Sequence, residues 1–100
     1  MTTARLEAAK AQIRRMIELL RRSGDAADAA CAAMLEQGLA SMVGRFETKE
    51  TLFKIGELCH PKALGDRFIP GLTYLEWAHE LELLEGRCAE AFNELERSAP

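Results

Sequence analysis

Apolar residues in the first part of the chain recur at alternating steps of three and four positions. The stripe consists of Leu6, Ala9, Ile13, Met16 and Leu20, and Ile17 widens it. This period matches one face of an α-helix and predicts a helix over residues 4–22. Thr3 is a suitable N-cap, and Gly24 is suited to end the helix because glycine enters a left-handed turn at little cost.

The second segment, residues 26–43, is apolar around almost its whole circumference. Its polar side chains are those of Asp28, Glu36, Gln37 and Ser41. A helix of this kind is normally buried on more than one side, so we expect it to be shielded from water on nearly every side. Asp25 is a good N-cap, Gly44 is expected to end the helix, and the small Gly38 lets a neighbouring backbone come close.

A third helix is predicted over residues 48–59. Its apolar residues are Leu52, Phe53, Ile55 and Leu58. The helix must stop before the proline at position 61, since the residue preceding a proline is pushed away from helical angles. Residues 60–72 form a long irregular connection, and Phe68 and Ile69 are expected to anchor it to the core.

The last helix, predicted over residues 73–97, has the strongest start signal. Thr73 and Glu76 have the spacing of a capping box, in which each side chain satisfies a free backbone N–H group. Leu72, just before the cap, is placed to pack on Trp77 as a hydrophobic staple. Apolar residues then repeat at seven-residue intervals. This set, the heptad seam, comprises Tyr74, Trp77, Leu81, Leu84, Cys88, Ala91 and Leu95.

Together these elements predict an all-α fold, a single four-helix bundle-like domain over residues 1–100. The short connections between the first three helices, about three or four residues each, favour antiparallel neighbours. The second and fourth helices carry more apolar surface than a small bundle readily covers. Sharing that surface between two copies would resolve the shortage, so we expect a homodimer.

Composition places the protein in a broad class. Of its 100 residues 48% are apolar, the net charge is −3, and there are three cysteines. An odd and small number of cysteines does not suit a disulfide scaffold, which favours the cytoplasm. No apolar run approaches the roughly 20 residues of a membrane span, and the first residues lack a signal-peptide core. The Ala-, Arg-, Leu- and Glu-rich composition is typical of bacterial proteins.

Charge is distributed unevenly along the chain. Residues 1–22 contain six basic and two acidic side chains, whereas residues 73–100 contain two basic and seven acidic ones. Opposite charges attract across a helix contact. The first and last helices should therefore attract each other, within one chain or across a dimer.

Potential metal ligands are dispersed along the sequence. They are Cys31, Cys59, His60, His79 and Cys88. No two have the spacing of a zinc site, and His79 and Cys88 fall on opposite sides of one helix. Cys31 and Cys88 lie on apolar stripes, where a free cysteine behaves as a small buried hydrophobe. We expect no metal and no cofactor.

Known catalytic motifs are also missing from the sequence, which has no nucleophile elbow and no phosphate-binding loop. The glutamates of the last helix lie mostly off the heptad seam, as on a solvated face. We therefore expect no catalytic residues and no enzymatic activity. The alternative is a small enzyme or ligand-binding bundle that uses Cys59 and His60 at the end of the third helix.

A basic stripe on the first helix favours a different alternative, a nucleic-acid-binding transcriptional regulator. The stripe comprises Lys10, Arg14, Arg15, Arg21 and Arg22. Such side chains could contact phosphates. Nucleic-acid-binding domains are usually basic, however, and this chain is acidic overall. Pairing of these arginines with glutamates of the last helix is therefore the favoured interpretation.

Protein–protein association is the leading functional hypothesis. The expected interface residues are Met34, Met42, Tyr74, Trp77, Leu81 and Leu84. Methionine and aromatic side chains are enriched at interfaces. The protein would act as an adaptor, inhibitor or regulatory partner, with a second copy or another protein as its partner and no membrane contact. The simpler alternative is that these residues form the core of an ordinary monomer.

Overall fold

Four α-helices and no strand make up the part of the chain that the computed structural model describes, residues 3–59, 64 and 69–97. The helices are α1 (Ala4–Arg22), α2 (Ala26–Ala40), α3 (Arg45–Leu58) and α4 (Tyr74–Arg97). The all-α class predicted from the sequence is confirmed for these residues. None of the helices has the length and apolar character that crossing a bilayer requires.

The starts of α1 and α2 are fixed by the predicted N-caps. The Thr3 hydroxyl accepts a hydrogen bond from the Leu6 N–H at 3.1 Å. The Asp25 carboxylate accepts from the N–H groups of Ala27 and Asp28 at 2.8 and 3.1 Å. Each cap satisfies backbone donors that a helix start otherwise leaves free. Gly24 has φ +72°, the left-handed conformation that the sequence predicts there.

The capping box at the start of α4 is also confirmed. The Thr73 N–H donates to Glu76 Oε1 at 2.8 Å, and the Glu76 N–H donates to Thr73 Oγ1 at 3.1 Å. Leu72 is half-buried against the core that contains Trp77, as a hydrophobic staple requires. Local sequence alone therefore determines where the longest helix begins.

The boundary between α2 and α3 differs from the prediction. The helix α2 ends at Ala40, and the Ser41 hydroxyl and N–H both donate to the Gln37 carbonyl, which closes the last turn. Gly44 does not end α2 but precedes α3 with φ +114°, so α3 begins at Arg45, three residues before the predicted start. The regular α-helical pattern stops here because the Met42 N–H donates to the Leu39 carbonyl, three residues back, and not to the Gly38 carbonyl that a longer α-helix would use.

One apolar core joins the four helices. The helix α1 packs on both α2 and α4, and α3 packs mainly on α4, whereas α2 and α3 touch only slightly. Their contact is close at Gly38, where a Cβ atom would lie 3.3 Å from Ile55 Cδ1 and from Thr51 Cγ2. The expectation that Gly38 lets a neighbour approach is confirmed.

The connection between α3 and α4 contributes buried residues to the core. Leu64 and Ile69 are both buried, and the Leu64 carbonyl accepts a hydrogen bond from Trp77 Nε1 at 2.8 Å. The indole N–H thus has a partner, as a buried tryptophan needs. Ile69 anchors the connection as predicted, whereas Phe68 lies outside the described residues.

Candidate protein-binding surface

Four of the six predicted interface residues are buried within the chain: Met42, Trp77, Leu81 and Leu84. They belong to the core that joins the four helices, and of the four only Trp77 and Leu81 reach a surface feature, the cleft at the end of α3. The interface prediction is corrected accordingly. A heptad repeat shows that one helix side must be covered, but the chain's own helices already cover it.

Met34 and Tyr74 remain exposed, with 47% and 75% of their surface accessible. Further large apolar side chains that the sequence analysis did not select are exposed as well: Val43, Phe46, Phe53 and Leu75. Phe46 and Phe53, at 71% and 57% exposed, are seven residues apart and share one side of α3. The buried side of α3 consists of Thr48, Leu52 and Ile55, and the two phenylalanines lie outside that set. This helical spacing was the signal that could have identified them.

Polar contacts of α3 with α4 lie beside these phenylalanines. Arg45 donates from Nε and Nη2 to the Leu95 carbonyl at 3.0 and 2.9 Å, which satisfies an acceptor in the last turn of α4. Lys49 pairs with Glu96 at 2.9 Å, and its Nζ lies 5.5 Å from the centre of the Phe92 ring.

The Phe53 ring lies 6.3 Å from the Phe92 ring, centre to centre, in a tilted arrangement. Phe53 and Phe92 thus form the aromatic half of an outer surface between the two helices, and Phe46 lies about two turns before Phe53 on the same side of α3. We call this surface the α3/α4 groove.

The other half of the groove is an open cleft of about 200 Å³ at the end of α3. Its lining residues are Cys59, Tyr74, Trp77, Ala78, Leu81, Glu82 and Glu85. This volume is below the roughly 300 Å³ at which small-molecule pockets begin. An apolar floor with two carboxylates on its wall is suited to a side chain of a larger partner.

Cys59 in this cleft is not an activated nucleophile. Burial raises the pKa of its thiol to about 12, and the negative charge of Glu85 adds to the effect. The thiol is half-buried and donates weakly to the Ile55 carbonyl at 3.8 Å. Since the thiolate is the reactive form, Cys59 offers little to an enzyme at neutral pH. His60, its suggested partner, lies outside the described residues.

Three carboxylates along the groove, those of Glu57, Glu82 and Glu85, form no ion pair within the described part of the chain. The two lysines on α3 are occupied, Lys49 by Glu96 at 2.9 Å and Lys54 by Glu50 at 3.4 Å. The groove therefore combines exposed aromatic rings with negative charge that no ion pair among the described residues compensates.

Four side chains of the predicted basic stripe are paired with carboxylates. Lys10 pairs with Glu7 at 3.8 Å and Arg15 with Glu80 at 2.9 Å, while Arg21 pairs with Glu36 and Arg22 with Glu18. Arg14 alone has no ion-pair partner among residues 3–59, 64 and 69–97. The expected pairing with the last helix is confirmed for Arg15. The four ion pairs together leave little free positive charge on the stripe for phosphates.

A polar network between α1 and α4 was not anticipated from the sequence. Gln12 Nε2 donates to Glu80 Oε1 at 2.8 Å, and Arg15 Nε donates to the same oxygen at 2.9 Å. Arg87 Nη1 donates to Gln12 Oε1 at 3.0 Å. Gln12 and Glu80 are both buried, so this network fixes how α1 lies against α4.

The expected shielding of α2 on nearly every side is not found in the single chain. In α2 only Asp28, Ala32 and Leu35 are buried. The outward flank is exposed: Ala26, Ala27, Ala29, Ala30, Ala33, Met34, Gln37 and Ala40. The reason is that α2 has one main neighbour, α1, and only slight contact with α3. The other described helices therefore leave this flank of α2 uncovered.

The remaining candidate ligands are separated in space. Cys88 is buried, as predicted, and burial raises the pKa of its thiol to about 12. Cys31 is only half-buried, and His79 is exposed. No group of three potential metal ligands occurs within the described residues.

Comparison with known proteins identifies no relative: no family model, no curated protein and no solved structure matches the chain.

Proposed function

We propose that this chain is a non-enzymatic, cytoplasmic protein-binding module, an adaptor, inhibitor or regulatory partner that acts by burying the α3/α4 groove. The observation that carries the proposal is the exposure of Phe46 and Phe53, at 71% and 57%. The core is closed without them, since Leu52 and Ile55 already fill the inner side of α3. Two phenylalanines on one helix side are therefore available to a partner.

The energy available from this surface is considerable. Covering an exposed large apolar side chain contributes about 1.5–3 kcal/mol. Phe46 and Phe53 share one side of α3, Tyr74 lines the cleft at the end of that helix, and aromatic residues are among those enriched in the cores of interfaces. Single exposed apolar residues are ordinary on a protein surface, but an aligned set supports a binding role.

A homodimer is part of the proposal and concerns α2. The outward flank of α2 has no charged side chain from Ala26 to Ala40 other than Glu36, which pairs with Arg21. A second copy could cover that flank without removing an unpaired charge from water. The short connections and the pairs Arg5–Glu94 and Arg15–Glu80 support antiparallel helices within each bundle.

Photo-crosslinking in cells tests the binding role directly. The photoreactive residue p-benzoylphenylalanine replaces Phe53 in one variant and Ala11, an exposed residue of α1, in the matched control. We expect a discrete crosslinked product from position 53 that is absent at position 11 and is lost when Phe46→Ser is added. Equal or absent products at the two positions would overturn the proposal.

Light scattering on the purified chain tests the dimer separately. A mass of twice 11.1 kDa is expected at micromolar concentration. Ala30→Glu, which places a charge on the α2 flank, should then return the mass to that of one chain, whereas Ala11→Glu should not. A chain that stays single at all concentrations removes the dimer from the proposal and leaves the groove to another protein.

A further inference from the structure

We infer that the α3/α4 groove receives a basic amphipathic helix from another protein. This inference rests on the proposed function and adds the chemistry of the partner to it. It depends on three features of the groove: its length, its aromatic side chains and its unpaired carboxylates.

The shape of the groove fits one helix. Residues 46–57 of α3 line it over about 17 Å, at 1.5 Å of rise per residue. A partner helix of about 12 residues has the same length. Phe46 and Phe53 offer apolar contacts along this distance, and the cleft at the end of α3, with Tyr74 among its lining residues, accepts one further side chain. An apolar helix face laid into such a groove is a recurring mode of peptide recognition.

The charge of the groove selects a basic partner. Glu57, Glu82 and Glu85 have no ion-pair partner within the described residues, while the nearby Lys49 and Lys54 are already paired. Lysine or arginine side chains on the flanks of a bound helix would lie beside these carboxylates. Complementary charge of this kind sets orientation and raises the association rate.

The same charges disfavour other occupants. A second copy placed on this groove by a twofold axis would present the same acidic patch and no unpaired lysine of the groove, because such an axis presents the same patch on both sides. Nucleic acids and anionic lipid surfaces would be repelled for the same reason. The groove therefore suits a basic partner, whereas the uncharged flank of α2 suits a second copy.

A synthetic peptide probes the inference with the full chain. The probe is a fluorescent helix of about 14 residues with leucines at helical spacing and lysines elsewhere. The matched control peptide has glutamate at every lysine position. We expect fluorescence anisotropy to show saturable binding of the lysine peptide and none of the glutamate peptide.

Variants of the chain locate the binding. Phe53→Ala should weaken binding of the lysine peptide about 10-fold, as loss of a central interface aromatic typically does. The double variant Glu82→Gln/Glu85→Gln should weaken it about 3- to 10-fold at low salt, the range of partly exposed ion pairs. The control Glu18→Gln/Glu90→Gln makes the same change in net charge outside the groove and should change binding less than about 2-fold.

Several outcomes would overturn the inference. Equal binding of the two peptides would show adhesion without selection for positive charge. An equal effect of the two double variants would show attraction by the whole acidic protein and not by the groove. If Phe53 crosslinks to a protein in cells but the lysine peptide does not bind, the proposed function stands and the basic helix is the wrong partner. A crosslink from position 53 to a second copy of the chain would likewise show that the basic helix is the wrong partner.

Discussion

Replacing Glu80 tests whether the network between α1 and α4 stabilises the fold. Its carboxylate accepts from Gln12 at 2.8 Å and from Arg15 at 2.9 Å. The Glu80 side chain is 11% exposed, whereas that of Arg15 is 53% exposed. In Glu80→Ala, Gln12 Nε2 keeps only weaker acceptors, the backbone carbonyl of residue 80 at 3.2 Å and the Met16 sulfur at 3.5 Å.

The expected cost follows from these two hydrogen bonds. A buried hydrogen bond to a charged group contributes about 1.5–3 kcal/mol. The bond from Arg15 is screened by water, since that side chain is largely exposed, and adds little. We therefore expect Glu80→Ala to lower the free energy of unfolding by about 2–3 kcal/mol. Glu80→Gln keeps an acceptor for Gln12 but loses the charge, so its cost should be about 0.5–1.5 kcal/mol.

Urea unfolding followed by circular dichroism measures both variants, and thermal unfolding provides a check. A change of 2–3 kcal/mol corresponds to a fall in Tm of roughly 8–20 °C for a chain of this size. Glu90→Gln, an exposed glutamate on the same helix, is the control and should stay within about 0.5 kcal/mol of the natural chain.

The pH dependence gives an independent signature. Burial alone would raise the pKa of Glu80, but hydrogen bonds from Arg15 and Gln12 and the Arg15 charge outweigh it and lower the pKa. A carboxyl whose pKa is lower in the folded state stabilises the fold above its unfolded pKa, about 4.3. That contribution is lost as pH falls through the folded pKa. The stability gap between the natural chain and Glu80→Gln should therefore be constant from about pH 7 to 5 and shrink below about pH 4.

The reasoning about the network would be refuted if Glu80→Ala behaved like the Glu90→Gln control. It would also be refuted if the gap to Glu80→Gln did not depend on pH. Either result would mean that water replaces the Glu80 carboxylate as acceptor for both donors at no cost, and that apolar packing alone holds α1 against α4.

Two further predictions concern the thiols and the α4 capping box. In a Cys31→Ser background, Cys59 and Cys88 should react with a disulfide reagent at pH 8 much more slowly in the native chain than in urea. The reason is that burial raises the pKa of both thiols to about 12. Equal rates in the two conditions would contradict their burial. Thr73→Ala should lower the free energy of unfolding by about 1 kcal/mol in urea titration, while Thr73→Ser should retain it; an equal loss in both would show that the hydroxyl does not act as a cap.

Helix number and most helix starts could be predicted because they depend on local chemistry. The caps at Thr3, Asp25 and Thr73 each need one side-chain oxygen at a fixed spacing from free N–H groups. The end of α2 was predicted wrongly, because the backbone changes to a bond between the Met42 N–H and the Leu39 carbonyl two residues before the glycine that looked like the stop signal. Such a tightened last turn depends on backbone geometry that the sequence pattern does not show.

The candidate surface was harder to predict because an amphipathic pattern shows that one side of a helix is covered but not which element covers it. Trp77 and Leu84 are apolar for the same reason whether a helix of the same chain or a partner covers them. Phe46 lay before the predicted start of α3, and Phe53 was counted with Leu52, Ile55 and Leu58 as an apolar residue of the helix. Only packing shows that one side of α3 is filled and that its phenylalanines are left outside.

The division of charge on α4 connects its two roles. On the side facing α1, Glu80 and Glu94 pair with Arg15 and Arg5, so the acidic and basic segments of the chain neutralise each other as predicted. On the side facing the α3/α4 groove, Glu82 and Glu85 have no such partner within the described residues. The attraction between chain ends therefore stabilises the fold, and the carboxylates left over lie beside exposed aromatic rings. The carboxylates of Glu80 and Glu94 hold α1 in place, and those of Glu82 and Glu85 lie where a basic partner would contact them.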